Sequence, residues 1–448
     1  MSFTFVDLFA GIGGFHAALE PMGGECVFVS EWDEHAARIY RANWLKNSDV
    51  EVSGDIRKLT ESDSVDVPRH DVLTGGFPCQ PFSKSGNQLG VNETRGTLFY
   101  NILRIIETKK PKIVLLENVR NLVGPKHHGD YLTMIRLLRE LGYAVSETPT
   151  ILSPHEIPKS YGGSPQHRQR VIIGAVRVGT KRANELKDIG PLLERNPFAE
   201  IEDTSWDIKE EILQINQGKS AAYRDLRVSV EQVNAIEMWE HFLQTYRTKN
   251  ESNPPGLPMW TEYWKLRSEV RIPRATPDWK RQFIEKNVRL YEENKNWIDG
   301  WRKEHNLDDF IPSHRKFEWQ GRDSKSIYKC LIQFRPSGIR VKEPSYVPAF
   351  VAMAQTPVLG WEMRELSEFE AARIQGFPES FTFGEQRRAL TLKQIGNAVH
   401  PGSANLVFQS LVERAKELGL DWADDFISNG KKVKKLPKRL TKLHSNSY

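Results

Sequence analysis

The sequence predicts an α/β chain: a mostly parallel sheet in the first part, an inserted and smaller second domain, and helical material at the end that returns to the first. Three observations carry this. Short β-type runs that end in glycine or an acid alternate with helical periods over residues 1–180. The alternation then stops, and residues 181–346 become rich in tryptophan, proline and mixed charge without a repeat. Helical segments resume after residue 346, and their apolar faces need the first domain to pack against. The division expected is therefore 1–180 with 347–420, an insert at 181–346, and a basic tail at 421–448.

Taken in order, Phe3 to Phe9 reads as a strand that runs into Asp7-Leu-Phe-Ala-Gly-Ile-Gly-Gly-Phe15, and His16 to Met22 reads as helix. Strand, glycine turn and helix open a nucleotide-binding βαβ unit, with Gly11, Gly13 and Gly14 allowing the backbone to approach a ligand closely. Cys26 to Ser30 is a second strand, ending in Glu31-Trp32-Asp33. An acid about 20 residues after such a turn is placed for ribose hydroxyls, which suits a dehydrogenase and an S-adenosylmethionine enzyme alike. Gly54-Asp55-Ile56 ends a third extended piece; Asp55 serves equally as an adenine-edge ligand or as a helix cap.

The fourth strand ends at Thr74 and leads into Gly75-Gly-Phe-Pro-Cys-Gln-Pro-Phe-Ser83. The glycines permit a sharp turn and the two prolines stiffen the loop, so Cys79 is aimed at a strand's carboxyl end. A lone cysteine is ordinarily a small buried hydrophobe; this frame favours a nucleophile. Residues 83–97 form a long polar loop suited to a lid, and a helix follows from Leu98 to about Lys109. Lys112 to Val119 is a buried parallel strand that delivers Glu117 at its end, partly desolvated and so raised in pKa, unless it is simply a paired or capping acid. Gln166-His-Arg-Gln-Arg-Val-Ile-Ile173 enters another strand, whose period of two puts Gln166, Arg168 and Arg170 on one face. After the insert, Glu365 to Gln375 is helical, and the last helix runs from about Ser403 to Leu418.

The chain has 448 residues, 39% of them hydrophobic, and a net charge of +5, too small to imply nucleic acid by itself. Between Ser313 and Lys342, however, eight basic residues face only Glu318 and Asp323. That excess, with Trp319, Tyr328 and Phe334 among it, suggests a phosphate-facing surface. Residues 431–442 are basic without an acid and read as a disordered arm. Three scattered cysteines in no CxxC pair argue against a disulfide framework or a cysteine-rich zinc site. No apolar run is long enough to span a membrane and no leader opens the chain, so a cytoplasmic protein is expected.

With these residues in view, the chain resembles the DNA (cytosine-5) methyltransferases of bacterial or phage restriction-modification type. The motifs in order are Asp7 to Gly14, Glu31-Trp32, Asp55-Ile56, Gly76 to Ser83, Arg95-Gly-Thr-Leu-Phe99, Glu117-Asn-Val119, Gln166-x-Arg-x-Arg170, Arg364 to Pro378, and Gln394-Ile-Gly-Asn-Ala-Val399. The resemblance implies a Rossmann-like S-adenosyl-L-methionine fold with a target-recognition domain in the insert. It implies Cys79 as the thiolate that adds to carbon 6 of a flipped-out cytosine, Glu117 at ring nitrogen 3, Arg170 with Arg168 at the base carbonyl or the carboxylate, and Asn118 fixing the strand end. For the cofactor it assigns Phe9 to the adenine face, Gly11 and Gly13 to the turn, Glu31 to the ribose, Asp55 and Ile56 to the adenine edge, and Asn397 with Ala398 to the methionine end. Trp32, Pro78 and Leu98 complete the wall. Double-stranded DNA is the expected partner, with Ser83, Ser85, Arg95, Arg315, Lys316, Arg322, Lys325 and Arg335 on its side and the insert's aromatic and basic residues dividing phosphate and base contacts. No metal is expected. The enzyme should act as a monomer, with a cognate restriction endonuclease working independently. An RNA (cytosine-5) methyltransferase on the same scaffold and a catalytically silent DNA-binding protein are the rival readings; the long insert favours sequence-specific DNA over the first, and the presence of Cys79 and Glu117 opposes the second.

Overall fold

In the computed structural model the described residues are 3–61, 65–78, 97–186, 188–193, 198, 204–216, 226–350, 356–427 and 436. Cys79, Ser83, Ser85 and Arg95 lie outside them. The chain divides into two compact units, Met1–Trp206 with Pro348–Ala354 and Ala371–Tyr448, and Asp207–Val347 with Gln355–Glu370.

The first unit is built on a sheet whose core strands are apolar on both faces. β1 (Phe3–Leu8), β2 (Gly24–Ser30), β3 (Val52–Ser53), β4 (Val72–Gly76) and β5 (Ile113–Val119) run parallel in the order β3-β2-β1-β4-β5. Successive side chains on a strand alternate between the two faces. Phe3, Phe5, Val72, Ile113 and Leu115 therefore enter one core layer, while Val6, Leu8, Leu73, Val114 and Leu116 enter the other. Helix α1 (Gly14–Leu19) packs into the first layer. Helix α2 (Glu34–Trp44) is started by Asp33, whose carboxylate accepts from the His35 and Ala36 amides. Helices α3 (Leu98–Lys109) and α4 (His128–Glu140) cover the second layer through Ile102, Ile106, Met134 and Leu138.

Beyond β5 the direction reverses. The short strands β6 (Tyr143–Val145), β7 (Thr150–Leu152) and β8 (Gln166–His167) precede β9 (Arg170–Arg177), which is antiparallel to β5, β6 and β7. The strand expected to run through Gln166, Arg168 and Arg170 is broken at residues 168 and 169, so those side chains do not share one pleated face. The first unit also continues past residue 180. Helix α5 (Thr180–Leu186) is followed by Ile189, Leu192, Leu193 and Phe198, all buried in the first core layer, and this apolar cluster moves the expected boundary to Trp206.

The second unit holds α6 (Ile208–Ile215), α7 (Val230–Asn250) and α8 (Asp278–Glu304) with a six-stranded sheet. Ser229 and Gln232 form a reciprocal capping box that starts α7. The sheet is centred on β11 (Lys316–Gln320), β12 (Leu331–Arg335) and β13 (Gly338–Lys342), with the edge piece β10 (Met259–Trp260) pairing β11. Trp239, Trp264, Trp301, Phe242, Phe317 and Trp319 fill its core. Arg364 and Glu370 close the unit with a buried bidentate pair at 2.8 Å on both arms, and Asn216 donates to the same carboxylate. The chain leaves this unit after Val347, within one residue of the expected boundary, and residues 355–370 then belong to it again.

The return to the first unit comes through α9 (Glu368–Ile374), which spans the boundary, then α10 (Arg388–Asn397) and α11 (Pro401–Glu417). Helix α11 puts Val407, Phe408 and Leu411 against the first layer. The expected tail at 421–448 is not all tail: α12 (Ala423–Ile427) buries Ala423 and Phe426, and Leu436 is buried with them. No helix among the described residues is long and apolar enough to cross a membrane.

Candidate active site

Parallel strands bring their carboxyl ends to one edge, and there the glycine turn after β1 opens. Phe9 and Gly11 both have positive φ, 53° and 55°, and Gly13 has 92°. The Gly11 amide donates to Glu31 Oε2 at 2.7 Å, and the Asp33 amide donates to Glu31 Oε1 at the same distance. Burial raises the Glu31 carboxyl, and these two backbone donors pull it back. Each carboxylate oxygen has a second lone pair to offer.

Beside Glu31 lies a cavity of about 320 Å³, lined by Phe9, Ser30, Glu31, Trp32, Gly54, Asp55, Ile56, Arg57, Pro78 and Leu98. Seven of the residues expected to hold the cofactor are in that lining. Ser30, Gly54 and Arg57 were missed, although each is next to a residue that was named. The Trp32 side chain is 75% exposed, which for a tryptophan beside a cavity leaves a large apolar face without cover. Apolar walls with acids at the rim suit a planar heterocycle joined to a diol, so the lining fits an adenosine.

Four other expected cofactor residues, Gly11, Gly13, Asn397 and Ala398, stand outside that lining. Gly11 and Gly13 shape the turn rather than line the cavity. Asp55 accepts from the Arg57 amide at 3.0 Å and is paired with the Arg57 guanidinium, which holds its carboxyl below the usual range. Ala398 has no free backbone group: its amide bonds back into α10, and its carbonyl accepts from Arg168 and Gln375, both at 2.9 Å. Asn397 is exposed at the end of α10.

The second half of the edge is the junction of β4 and β5. Their register pairs Gly76 with Glu117. Asn118 then donates from Nδ2 to the Phe77 carbonyl at 3.0 Å, while its Oδ1 accepts from the Val119 amide at 2.8 Å, tying the start of the Gly-Phe-Pro-Cys loop to the end of β5. Across the antiparallel ladder Val119 pairs with Arg170, so Arg170 and Glu117 are diagonal neighbours. Arg170 Nε lies 3.0 Å from Glu117 Oε1, an ion pair rather than a directed hydrogen bond, because that buried oxygen has no aligned donor among the described residues. Burial raises the Glu117 carboxyl, and the charges of Arg168 and Arg170 oppose the rise.

Arg168 occupies a different position from the one expected. It is 2% exposed, and its guanidinium donates to the carbonyls of Phe350 at 3.1 Å and Ala398 at 2.9 Å. Burial brings its pKa down to about 9. With Gln166, which donates to Gln375, it forms a buried polar brace. His400 joins the same region, its Nε2 2.9 Å from Ser164 Oγ, and burial lowers it to about 3, so it is a neutral cap on α11.

Four of the five expected DNA-facing residues of the second unit have side chains already in ion pairs. Arg315 pairs with Asp308, Lys316 with Glu262, Arg322 with Glu343 and Arg335 with Glu318, at 3.4, 3.1, 3.2 and 2.8 Å. The carbonyl of Lys325 accepts from Gln244 and Arg247. The tryptophans at 239, 264, 301 and 319 cannot read bases, since they are the unit's core, and Tyr328 and Phe334 pack against it.

Sheet, glycine turn and adenosine-shaped cavity define an α/β enzyme of the nucleotide-cofactor kind. Residues 3–413 match the family described as C-5 cytosine-specific DNA methylase, and the chain belongs to that family. It is 36% identical to the Type II methyltransferase M.AluI of Cellulosimicrobium cellulans, with 93% of each chain covered. The Type II methyltransferase M.HgiBI of Herpetosiphon aurantiacus is 28% identical over 89% of this chain and 94% of that one. The DNA-cytosine methyltransferase of Escherichia coli K12 is 39% identical over 42% and 44%. The protein is a C-5 cytosine DNA methyltransferase of restriction-modification type, and its methyl donor is S-adenosylmethionine.

Proposed function

We propose that this enzyme methylates one cytosine within a specific short double-stranded sequence, on a base flipped out of the duplex and through a covalent adduct with Cys79. The observation that carries the reading is the position of Pro78. It lines the adenosine-shaped cavity, it stands two residues past Gly76, the strand partner of Glu117, and the next residue is Cys79. The cofactor wall and the thiol are thus adjacent in sequence, just past the strand that pairs with the acid.

In this reading Phe9, Trp32, Pro78 and Leu98 enclose the adenine and Glu31 takes the ribose hydroxyls. When bound there, S-adenosylmethionine supplies an electrophilic methyl. Carbon 5 of cytosine is a weak nucleophile, and addition of the Cys79 thiolate to carbon 6 makes the ring electron-rich at carbon 5. Charge that develops on the ring is met at nitrogen 3 by the Glu117 carboxyl, whose pKa burial raises, which favours its protonated form. Arg170 holds that carboxyl in place, and Asn118 fixes the loop that carries the thiol. Once carbon 5 carries the methyl, a base removes its hydrogen as a proton and the electron pair left behind expels the Cys79 thiolate. Such chemistry is unreachable inside a stacked duplex, so the base must be extruded at a cost of a few kcal/mol. Monomeric action and an independent restriction endonuclease complete the proposal.

Expression in a host without cytosine methylation, followed by base-resolution mapping of 5-methylcytosine, tests it. Every copy of one short sequence should be modified. Cys79→Ser should bind DNA and S-adenosylmethionine yet transfer nothing; methyl transfer by that variant would refute the covalent route. Modified RNA with unmodified DNA would support the rival substrate.

A further inference from the structure

The second unit carries a cluster that methyl transfer does not use. His241 stands in the middle of α7, while Glu304 ends α8 and His305 caps it. One donor atom from each residue, two ring nitrogens and a carboxylate oxygen, fall within 4.8 Å of one another. His241 Nδ1 lies 2.6 Å from His305 Nε2 and 3.7 Å from Glu304 Oε1. We infer that these three side chains form a binding site for a divalent transition-metal ion, zinc by its donor set, which ties the end of α8 to the middle of α7.

Two imidazole nitrogens facing each other must share something, either one proton or one cation. The shared proton satisfies both rings, while the Glu304 carboxylate, at 3.7 Å from His241 Nδ1, stays beyond hydrogen-bond distance and acts only as a counter-charge. A cation engages all three groups. Two imidazoles and a carboxylate match the ligand preference of zinc, with water completing a four-coordinate shell at these partly exposed positions. Metal–nitrogen bonds of about 2.0–2.1 Å in a tetrahedron require the nitrogens about 3.3 Å apart. The rings must therefore open by roughly 0.7 Å from the hydrogen-bonded distance, a change that side-chain rotation at a helix surface accommodates.

Two features of the fold favour the ion. The cluster sits at the carboxyl end of a 27-residue helix, where the unpaired carbonyls give a negative field. One ligand is also held from behind: the His305 ring packs on Trp301, centroids 5.4 Å apart, and Trp301 is only 3% exposed, so that side of the site rests on the unit's core. The two helices already meet through Phe242, Tyr246, Trp297 and Trp301. A metal bridge would add a polar clamp at the edge of that apolar contact.

The test uses the full-length protein stripped with EDTA. Isothermal titration with zinc chloride should show one equivalent bound at micromolar concentration or tighter, and cobalt(II) should give the intense visible bands of a four-coordinate site. His241→Gln with His305→Gln should abolish both signals, and Glu304→Gln should weaken binding, with DNA methylation unchanged in each variant. Zinc should raise the melting temperature of the wild type by roughly 5 °C and leave the double-histidine variant unmoved. Circular dichroism of the variants without metal confirms that they fold. Zinc bound equally well by the double variant, or no binding at micromolar zinc, would overturn the assignment.

Discussion

Gly13→Ala should damage the cofactor turn far more than Gly11→Ala, though both glycines have positive φ. At Gly13 the backbone has φ 92°, and a methyl there would lie 2.1 Å from Trp44 Nε1 and 2.6 Å from Cδ1. That indole is fixed: its Nε1 donates to the Ile12 carbonyl at 2.9 Å, it stacks on His16 with centroids 5.0 Å apart, and Phe381 packs on it at 5.7 Å. The left-handed backbone costs a non-glycine residue about 1–2 kcal/mol. Pushing the indole away strands the Ile12 carbonyl, for about 1–3 kcal/mol more. The sum is roughly 2–5 kcal/mol. At Gly11, φ is 55° and nothing lies within 4 Å of where a methyl would sit, so only the backbone cost of about 1–2 kcal/mol remains. Urea unfolding and titration with S-adenosylmethionine read both variants. Gly13→Ala should lose stability by that larger amount and bind cofactor more than tenfold more weakly, while Gly11→Ala stays within a few-fold. Pairing Gly13→Ala with Trp44→Ala should recover part of the loss, a coupling of about 1–3 kcal/mol. Equal effects at the two glycines, or no coupling to Trp44, would refute the steric account.

Three further outcomes follow from the same edge of the sheet. Asn118→Ala removes the only side-chain tie from the end of β5 to the Phe77 carbonyl among the described residues, and single-turnover methylation should slow by roughly 10²-fold with cofactor affinity little changed. If protonated Glu117 serves nitrogen 3, methylation should decline as pH rises through its elevated pKa, and Glu117→Gln should lose that limb of the pH–rate profile along with most of the rate. Asp7 is fully buried and burial raises it to about 7, so the folded state holds a proton that the unfolded state releases near 3.8. Its contribution to stability is therefore fully present below about pH 4 and is lost as pH rises to 7, by at most about 4 kcal/mol. Asp7→Asn, which keeps an acceptor for Thr74, should be more stable than the wild type at pH 8 and gain little at pH 4 in urea unfolding.

The strand ends are legible in the sequence because their cause is local. An apolar run of four to seven residues that meets a glycine or an acid says where a buried strand surfaces, which is why Glu31, Glu117 and the start of the loop after Gly76 stand where expected. Arg168 does not, because a period of two holds only while the strand continues; the break at 168 and 169 turns its side chain to the Ala398 carbonyl, 230 residues away. The insert reads as composition although it also carries a period. On α7, Ala235, Trp239, Phe242 and Tyr246 recur at helical spacing, and on α8 so do Ile284, Val288, Tyr291, Ile298 and Trp301. What masks the second series is Asn287 and Asn294 on the same face. These are buried because Asn287 serves the Trp260 amide and the Pro258 carbonyl, and Asn294 accepts from Asn250 and Trp297.

The basic run from Ser313 to Lys342 shows the limit of reading charge along a chain. Its excess of six is halved once the fold supplies Glu262, Asp308 and Glu343 from outside the window and directs Glu318 at both Arg335 and Arg340. An ion pair on a partly exposed surface contributes little, about 0–1 kcal/mol, so a phosphate can displace the carboxylate. Each such exchange leaves the carboxylate facing the backbone of the DNA. Where this face meets DNA, the acids bear on affinity as much as the arginines do: Glu318→Gln, which frees two arginines without moving β11, should then tighten DNA binding at low salt and steepen its salt dependence. Unchanged affinity and slope would mean that this face of the sheet does not meet phosphate at all.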